Sequence, residues 1–301
     1  MGLTFQSTKN DAMTDIFAIE KKEGQYIIAL AGNPNTGKST VFNALTGLHQ
    51  HTGNWPGKTV VNARGEFTHK DKENILVDLP GTYSLFASSV EEEVARDFIC
   101  FGNSDAVIVV TDATCLERNL NLVYQVMELT DNVVLCINLI DEAKKKNIII
   151  DGQGIEKELG VPVVLCAARS GIGIKELKEA VYKVTTGQIK PKPKVVKYQD
   201  YIEEKIKSIK PLIEKNIRGI NSRWLSLRAI DGDSRIMTSI FSNIDKDSLE
   251  EILKVANSST EDSDKINIRD DISEQIYRKA EEIRDKYVKE DKAKINRDKL
   301  I

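Results

Sequence analysis

Residues 32–39 read Gly32-Asn33-Pro34-Asn35-Thr36-Gly37-Lys38-Ser39, a G-x-x-x-x-G-K-[ST] run between the apolar stretch 26–31 (YIIALA) and a helical pattern over 39–45. This run restricts the fold more than any other feature, because it works only as a tight loop joining a buried strand to a helix. Gly32 and Gly37 let the backbone close around phosphate oxygens and aim its N–H groups at them. The start of the following helix adds the positive end of its dipole. Lys38 is placed to neutralise the β- and γ-phosphates, and the Ser39 hydroxyl to bind Mg²⁺. The expected phosphate cradle is therefore 32–40, with Asn33, Pro34, Asn35 and Thr36 as its wall and Thr40 as its last residue. The pattern arises by chance in roughly 1% of chains of this length, which puts a glycine turn with no ligand well behind.

The surrounding residues have the alternation that such a loop needs. Residues 26–31, 75–78 (ILVD), 106–111 (AVIVVT), 133–138 (VVLCIN) and 161–167 (VPVVLCA) are short β-branched runs, suited to parallel strands buried on both faces. Residues 59–68 (TVVNARGEFT) alternate instead and read as an edge strand or hairpin. Helical spacing over 90–98, 120–130, 154–159 and 174–185 supplies the crossovers.

Charge divides the chain near residue 186. Residues 1–186 carry 18 basic and 24 acidic groups, net −6; residues 187–301 carry 25 and 22, net +3. The stretch 187–197 (GQIKPKPKVVK) reads as a linker, since Pro191 and Pro193 favour extended backbone and forbid helix. Beyond it, residues 198–216, 222–227, 237–242, 247–255 and 270–299 space Ile, Leu and Val among charges as helices do. The expected organisation is an N-terminal extension over 1–25 and an α/β domain with a mostly parallel sheet over 26–186. After the linker come a small all-α domain over 198–275 and a charged helix over 276–301.

Two further motifs name the nucleotide. Asp78-Leu79-Pro80-Gly81 ends the next apolar strand, where Asp78 would hold Mg²⁺ through water and the Gly81 N–H would sense the γ-phosphate. Asn138-Leu139-Ile140-Asp141 ends a later strand, at the carboxyl edge where a base is held. A carboxylate there accepts from guanine N1–H and its exocyclic amine, and adenine has no matching donor pair, so Asp141 selects GTP over ATP. Ala167-Ala168-Arg169 follows the last strand, with the Ala168 N–H placed to meet guanine O6.

This order of motifs resembles the Ras-like GTPase superfamily. The loop GNPNTGKSTVFNALTG, the switch segment HTGNWPGKTV and the run DLPGTYSL resemble more closely the prokaryotic ferrous-iron transport protein B family. The resemblance is dense over 26–186; past the linker it rests on position, since a helical domain follows the GTPase domain in that family too. It implies a Ras-like P-loop GTPase domain that binds GTP and GDP with Mg²⁺, followed by a small helical domain that favours GDP retention. It implies that this region is the cytosolic switch that gates or energises Fe²⁺ uptake by an attached membrane region, at the cytoplasmic face of the bacterial inner membrane. The partners it implies are that membrane region past Ile301, small accessory iron-transport proteins and further copies of the chain.

The resemblance also assigns roles. Thr59 looks like the switch-I threonine that closes on Mg²⁺ and the γ-phosphate, joining Ser39 and Asp78 around that ion. Asn35 matches an asparagine that coordinates K⁺ in potassium-activated GTPases, with the carbonyls of Gly53 and Trp55 completing the site. Asn35, Lys38, Thr59 and Gly81 are the residues expected to carry catalysis. The residues agree with the potassium reading: Thr82 stands where Ras-like enzymes place a Gln to orient water, so a fixed K⁺ would supply missing positive charge. Two positions depart from the general pattern. Leu139 replaces the Lys of N-K-x-D, and Ala167 replaces a Ser, both of which point to micromolar affinity and fast exchange. A stand-alone GTPase of ribosome assembly or tRNA modification shares the G-x-P-N-x-G-K-S loop. That alternative calls for a basic RNA-binding domain, and a net charge of −3 with a second part at +3 argues against nucleic acid as a partner. A nucleotide-gated scaffold without hydrolysis is favoured only by the missing Gln.

Other features have plainer readings. Cys100, Cys115, Cys136 and Cys166 share no C-x-x-C spacing and read as buried thiols of a reducing compartment. His49 and His51 read as switch residues rather than an iron site, with one other histidine in the chain. Trp55 has a second reading, as an apolar anchor for the switch. Residues 88–93 (SSVEEE) read as a helix cap with an acidic first turn. No apolar run approaches the ~20 residues of a membrane helix. The basic end KAKINRDKLI resembles a cytoplasmic juxtamembrane segment, so the expectation is that the protein continues past Ile301 into the membrane.

Overall fold

The computed structural model of the 301-residue chain describes residues 17, 19–47, 50–55, 60–86, 88–233, 236–237, 240–241, 244–258 and 268–290. Its strands are β1 (Tyr26–Gly32), β2 (Gln50–Asn54), β3 (Val61–His69), β4 (Lys72–Asp78), β5 (Ala106–Asp112), β6 (Val133–Asn138), β7 (Ile148–Ile150), β8 (Val163–Leu165) and β9 (Val288–Glu290). The crossover helices are α1 (Lys38–Thr46), α2 (Val90–Phe101), α3 (Leu116–Leu129), α4 (Ile140–Lys145), α5 (Gly152–Leu159) and α6 (Ile174–Thr185). They are followed by α7 (Asp200–Asn216), α8 (Ser222–Ile230), α9 (Lys246–Ala256) and α10 (Ile268–Tyr287).

Seven strands form one sheet in the order β2-β3-β4-β1-β5-β6-β8, parallel except where β3 meets β2 and β4. Ile28 and Leu30 of β1, Ile108 and Val110 of β5 and Val134 of β6 are fully buried, under Val41, Phe42 and Leu45 of α1 and Leu177 and Val181 of α6. Each side chain of this size contributes roughly 1.5–3 kcal/mol when taken from water, so the apolar runs fix which segments become central strands. Burial on both faces is why they read as continuous apolar runs.

The chain divides into two compact units: Phe17–Val195 together with the residues from Tyr277 onward, and Val196–Ile276. The first holds the sheet and its helices. In the second, Ile202, Ile206, Ile209 and Ile213 line the buried face of α7 at helical spacing. The Arg223 guanidinium forks onto Glu203 with two 2.7 Å bonds and donates to the Val196 carbonyl at 2.9 Å. The described part of the chain is thus an α/β domain with a mostly parallel sheet followed by helices.

Several expectations need correction. The stretch expected as an edge strand or hairpin is β3, which forms the hairpin with β4 and is not an edge; the edge is β2, whose sequence QHTGN has no β-branched run to announce it. The alternation in β3 comes from one face packing inward while the other stays wetter. The helix expected over 270–299 stops at Tyr287, because Val288–Glu290 pair antiparallel with Ile148–Ile150. Residues 277–290 thus join the sheet-bearing unit instead of forming a separate charged helix. Tyr287 anchors the crossing: its hydroxyl donates to Glu158 at 2.8 Å and its carbonyl accepts from the Asp151 N–H at 2.9 Å. The KAKINRDKLI end lies outside the described residues, as do residues 1–16 of the N-terminal extension. Cys136 and Cys166 are buried neighbours; their hydrogen bond and burial hold the Cys136 thiol well above its ordinary value. Cys115, by contrast, is exposed at the start of α3. Among the described residues no helix is long and apolar enough to cross a membrane.

The Arg223 fork generates a first prediction. Arg223→Ala should lower unfolding stability by about 1–3 kcal/mol in urea titrations, and Arg223→Lys should recover only part of it, because an ammonium cannot make the paired contact. Full recovery by Lys would show that charge alone matters there.

Candidate nucleotide-binding site

The order of strands reverses at β1, which has β4 on one side and β5 on the other. Loops leaving the carboxyl ends of the strands at such a point enclose a crevice, and the 32–39 loop leaves β1 there. Two residues shape the loop with positive φ: Asn35 at 67° and Gly37 at 78°. Asparagine tolerates this conformation, and glycine adopts it freely. Space also requires glycine. A Cβ on Gly32 would stand 2.7 Å from the Val110 carbonyl oxygen, and one on Gly37 would stand 2.5 Å from Asn138 Nδ2. Thr36 closes the turn by donating its hydroxyl to the Asn33 carbonyl at 2.9 Å.

Lys38 reaches across the loop to Asp78 Oδ1, forming an ion pair, and donates to the Leu79 carbonyl at 2.6 Å. Burial pushes the Asp78 carboxyl above its ordinary value, and the Lys38 ammonium opposes that shift. The D-x-x-G segment lies against the loop: the Thr82 N–H donates to the Gly32 carbonyl at 3.2 Å, and a Cβ on Gly81 would stand 3.5 Å from Pro34 Cα.

Asn138 is the connector of the site. Buried to 1% exposure, it donates from Nδ2 to the Thr36 carbonyl and accepts at Oδ1 from the Ala168 N–H, both at 3.0 Å. One side chain therefore ties the phosphate loop to the loop after β8. The Ala168 amide, expected to meet guanine O6, has this partner in the structure. Ala167 is buried and receives its own support from the Ile172 carbonyl at 3.1 Å, while Arg169 is exposed. Leu139 takes φ 64° as the residue before α4, and Asp141 lies half-buried in that helix's first turn.

The remaining candidates are spread more widely. Ser39, Thr40, Asn35 and Gly53 are exposed, while the Trp55 side chain is buried against Phe98, with ring centroids 5.2 Å apart, and Phe17, at 5.7 Å. Trp55 thus has the anchoring role given as its second reading. Thr59 and His49 lie outside the described residues, and the side chain of His51 is not described. Among the described residues no group of three or more His, Cys, Asp or Glu side chains could hold a metal. Ser89 caps α2 by accepting from the Glu92 N–H at 3.2 Å, and Glu92 accepts in return from the Ser88 N–H at 2.9 Å. Sequence reasoning passed over the Leu79 carbonyl as a holder of Lys38, and Gln125, whose Oε1 accepts from the Leu85 N–H at 2.6 Å and steadies the segment after D-x-x-G. Neither carries a local signal.

The oxygen donors at hand fit the groups implied for the site. Ser39 and Asp78 offer hard oxygens of the kind Mg²⁺ takes, and Asn35, Gly53 and Trp55 offer neutral amide and carbonyl oxygens suited to a monovalent cation. A parallel sheet reversing at a glycine loop, with D-x-x-G and N-x-x-D at the adjoining strand ends, defines a Ras-like P-loop G domain.

The sequence profile described as "Ferrous iron transport protein B" matches residues 26–181, and that described as "FeoB cytosolic helical domain" matches 198–289. The chain belongs to the ferrous iron transport protein B family, which bears out the resemblance. It is 38% identical over 210 residues to the Fe(2+) transporter FeoB of Shigella flexneri, covering 68% of this chain and 27% of that protein. It is 37% identical over 214 residues to the Salmonella typhimurium protein of the same name, with the same two shares. The chain thus spans about a quarter of the length of these relatives. Among solved structures, it is similar to the cytosolic domain of T. maritima FeoB in a GDP form, at 33% identity and TM-score 0.76, covering 88% of this chain and 100% of that one. The cytosolic domain of L. pneumophila FeoB gives 32% identity, the same TM-score and the same shares.

Asn138→Ala cuts both ties of the connector at once. The Ala168 amide should lose its hydrogen-exchange protection, and unfolding stability should fall by about 1–3 kcal/mol. Unchanged protection at Ala168 would show that the last loop is held by other means.

Proposed function

We propose that the chain is the guanine-nucleotide switch of an Fe²⁺ transporter. It binds GTP with Mg²⁺, hydrolyses it, and passes its change of state to a membrane region of the same protein. The observation that best supports the nucleotide reading is the pair of long-range ties at the loop: Lys38 on Asp78 and Leu79, and Asn138 on Thr36 and Ala168. The relatives' description as Fe(2+) transporters supports the transport reading, and the GDP form of the T. maritima cytosolic domain supports the choice of guanine.

In this reading Lys38 exchanges the Asp78 carboxylate and Leu79 carbonyl for β- and γ-phosphate oxygens, keeping its charge paired throughout. Loop N–H groups and the start of α1 hold the remaining phosphate charge. Asp141 accepts from guanine N1–H and the exocyclic amine, while Asn138 keeps the phosphate loop and the base loop in register. The Gly81 N–H turns to the γ-phosphate, which repositions the D-x-x-G segment beside the loop. Water then attacks the γ-phosphorus, the bond to the β,γ-bridging oxygen breaks, and GDP and phosphate leave. Ser39, Asp78 and Thr59 would hold Mg²⁺, which when bound would neutralise phosphate charge. K⁺ supplies the charge an arginine finger gives elsewhere, held by Asn35 and the Gly53 and Trp55 carbonyls.

Two measurements test this. Asp141→Asn should weaken GTP binding by about a hundredfold or more and create affinity for xanthosine triphosphate, whose 2-oxo group can accept from the new amide. GTP affinity left intact would remove Asp141 from the base site. Single-turnover hydrolysis should run faster in K⁺ than in Na⁺ at equal ionic strength, and Asn35→Ala should abolish that difference. Potassium stimulation that survives Asn35→Ala would remove the cation from this loop.

A further inference from the structure

Among the described residues, the neutral side chains that are fully buried with no hydrogen-bond partner at all are Asn33 and Trp55. Asn33 is the more demanding of the two. It is 1% exposed, yet neither its Nδ2 nor its Oδ1 has a partner, although its own backbone carbonyl is used twice by Thr36. An amide buried without partners is costly, so any arrangement of neighbouring backbone that satisfies it is favoured.

The neighbours on either side are both in contact with the D-x-x-G segment. Gly32 accepts from the Thr82 N–H at 3.2 Å, and Pro34 packs on Gly81. The polar backbone of this segment is only partly committed: the Leu79 N–H goes to the Leu30 carbonyl, the Leu79 carbonyl to Lys38 and the Thr82 N–H to Gly32. Asn33 is thus a buried amide between two residues that touch a segment repositioned by the γ-phosphate.

We propose that Asn33 is a positioning residue for the triphosphate state: its side-chain amide pairs with the backbone of the Pro80–Thr82 segment when Gly81 turns to the γ-phosphate, and stands unpaired otherwise. The inference rests on the reading of the site as a GTP switch. The unpaired amide then acts as a stored bias, because the triphosphate arrangement gains a hydrogen bond that the alternative lacks. In this scheme the Asn33 backbone belongs to the phosphate cradle, while its side chain acts on the nucleotide only through Gly81.

The test uses Asn33→Ala and the near-isosteric Asn33→Leu, each compared with the unaltered chain for affinity to GDP and to a non-hydrolysable GTP analogue, with Mg²⁺ present. Thermal unfolding is followed without nucleotide. Both variants should lose roughly three- to tenfold more affinity for the analogue than for GDP, and unfold at the same or a higher temperature, since an unsatisfied buried polar group has been removed. Equal loss for both nucleotides, or a lowered unfolding temperature in both variants with the affinity ratio unchanged, would make Asn33 a purely structural residue and overturn the proposal. If the unaltered chain bound neither nucleotide, the GTP-switch reading would itself fall and take this inference with it. A changed ratio in the variants separates the two cases.

Discussion

Leu30 stands opposite Asp78 in the parallel register of β1 and β4, and Gly32 stands opposite Val110 in that of β1 and β5. Those pairings bring Lys38 within reach of Asp78 and press the loop so closely on β5 that position 32 has no room for a side chain. The contact of the D-x-x-G segment with the loop through Gly32 and Pro34 follows from the same register. The parallel pairing of β5 with β6 sets Asn138 opposite Asp112, and from there its side chain reaches the loop and the segment after β8. A slip of one residue would turn every side chain to the other face, so the apolar faces that hold the sheet also hold the site.

What could be read in the sequence was whatever is local. The strand–loop–helix at 26–46 has its signal in consecutive residues, and so do the buried strands and the Ser89 cap. What could not be read depends on distant partners. The strand QHTGN exists because β3 offers it an edge, and Val288–Glu290 become a strand because three isoleucines offer them another. The Ala168 amide looked free for a base until Asn138, thirty residues earlier, was placed beside it. Cys115 follows an apolar strand in sequence yet lies exposed, since the strand ends at Asp112 and the chain turns outward to start α3.

The charge-dense second part shows the same limit. Its charges alternate with Ile, Leu and Val at helical spacing, yet some of that charge is internal. Arg228 and Asp231 form a 2.8 Å pair at 3% and 0% side-chain exposure, and burial pushes the Asp231 carboxyl up while Arg228 opposes the shift. Burying such a pair recovers little net stability, and removing one partner strands the other. Together with the fork of Arg223 on Glu203, it means that these charges restrict how the helices can pack more than they add to stability. Composition counts charges; it does not say which of them face inward.

Leu139 links the base side of the site to the phosphate side. At φ 64° it adopts a conformation that costs a leucine on the order of 1–3 kcal/mol, which persists only where neighbours over-determine it. Its Cδ2 lies 3.8 Å from the position a Cβ on Gly37 would occupy, so the side chain lies over the phosphate loop. A lysine here would lay its stem along a base, as the general pattern has it; this leucine instead adds an apolar contact that steadies Gly37 from above while Asn138 holds it from the side. In the proposed reading the base edge is then left to Asp141 without help from position 139.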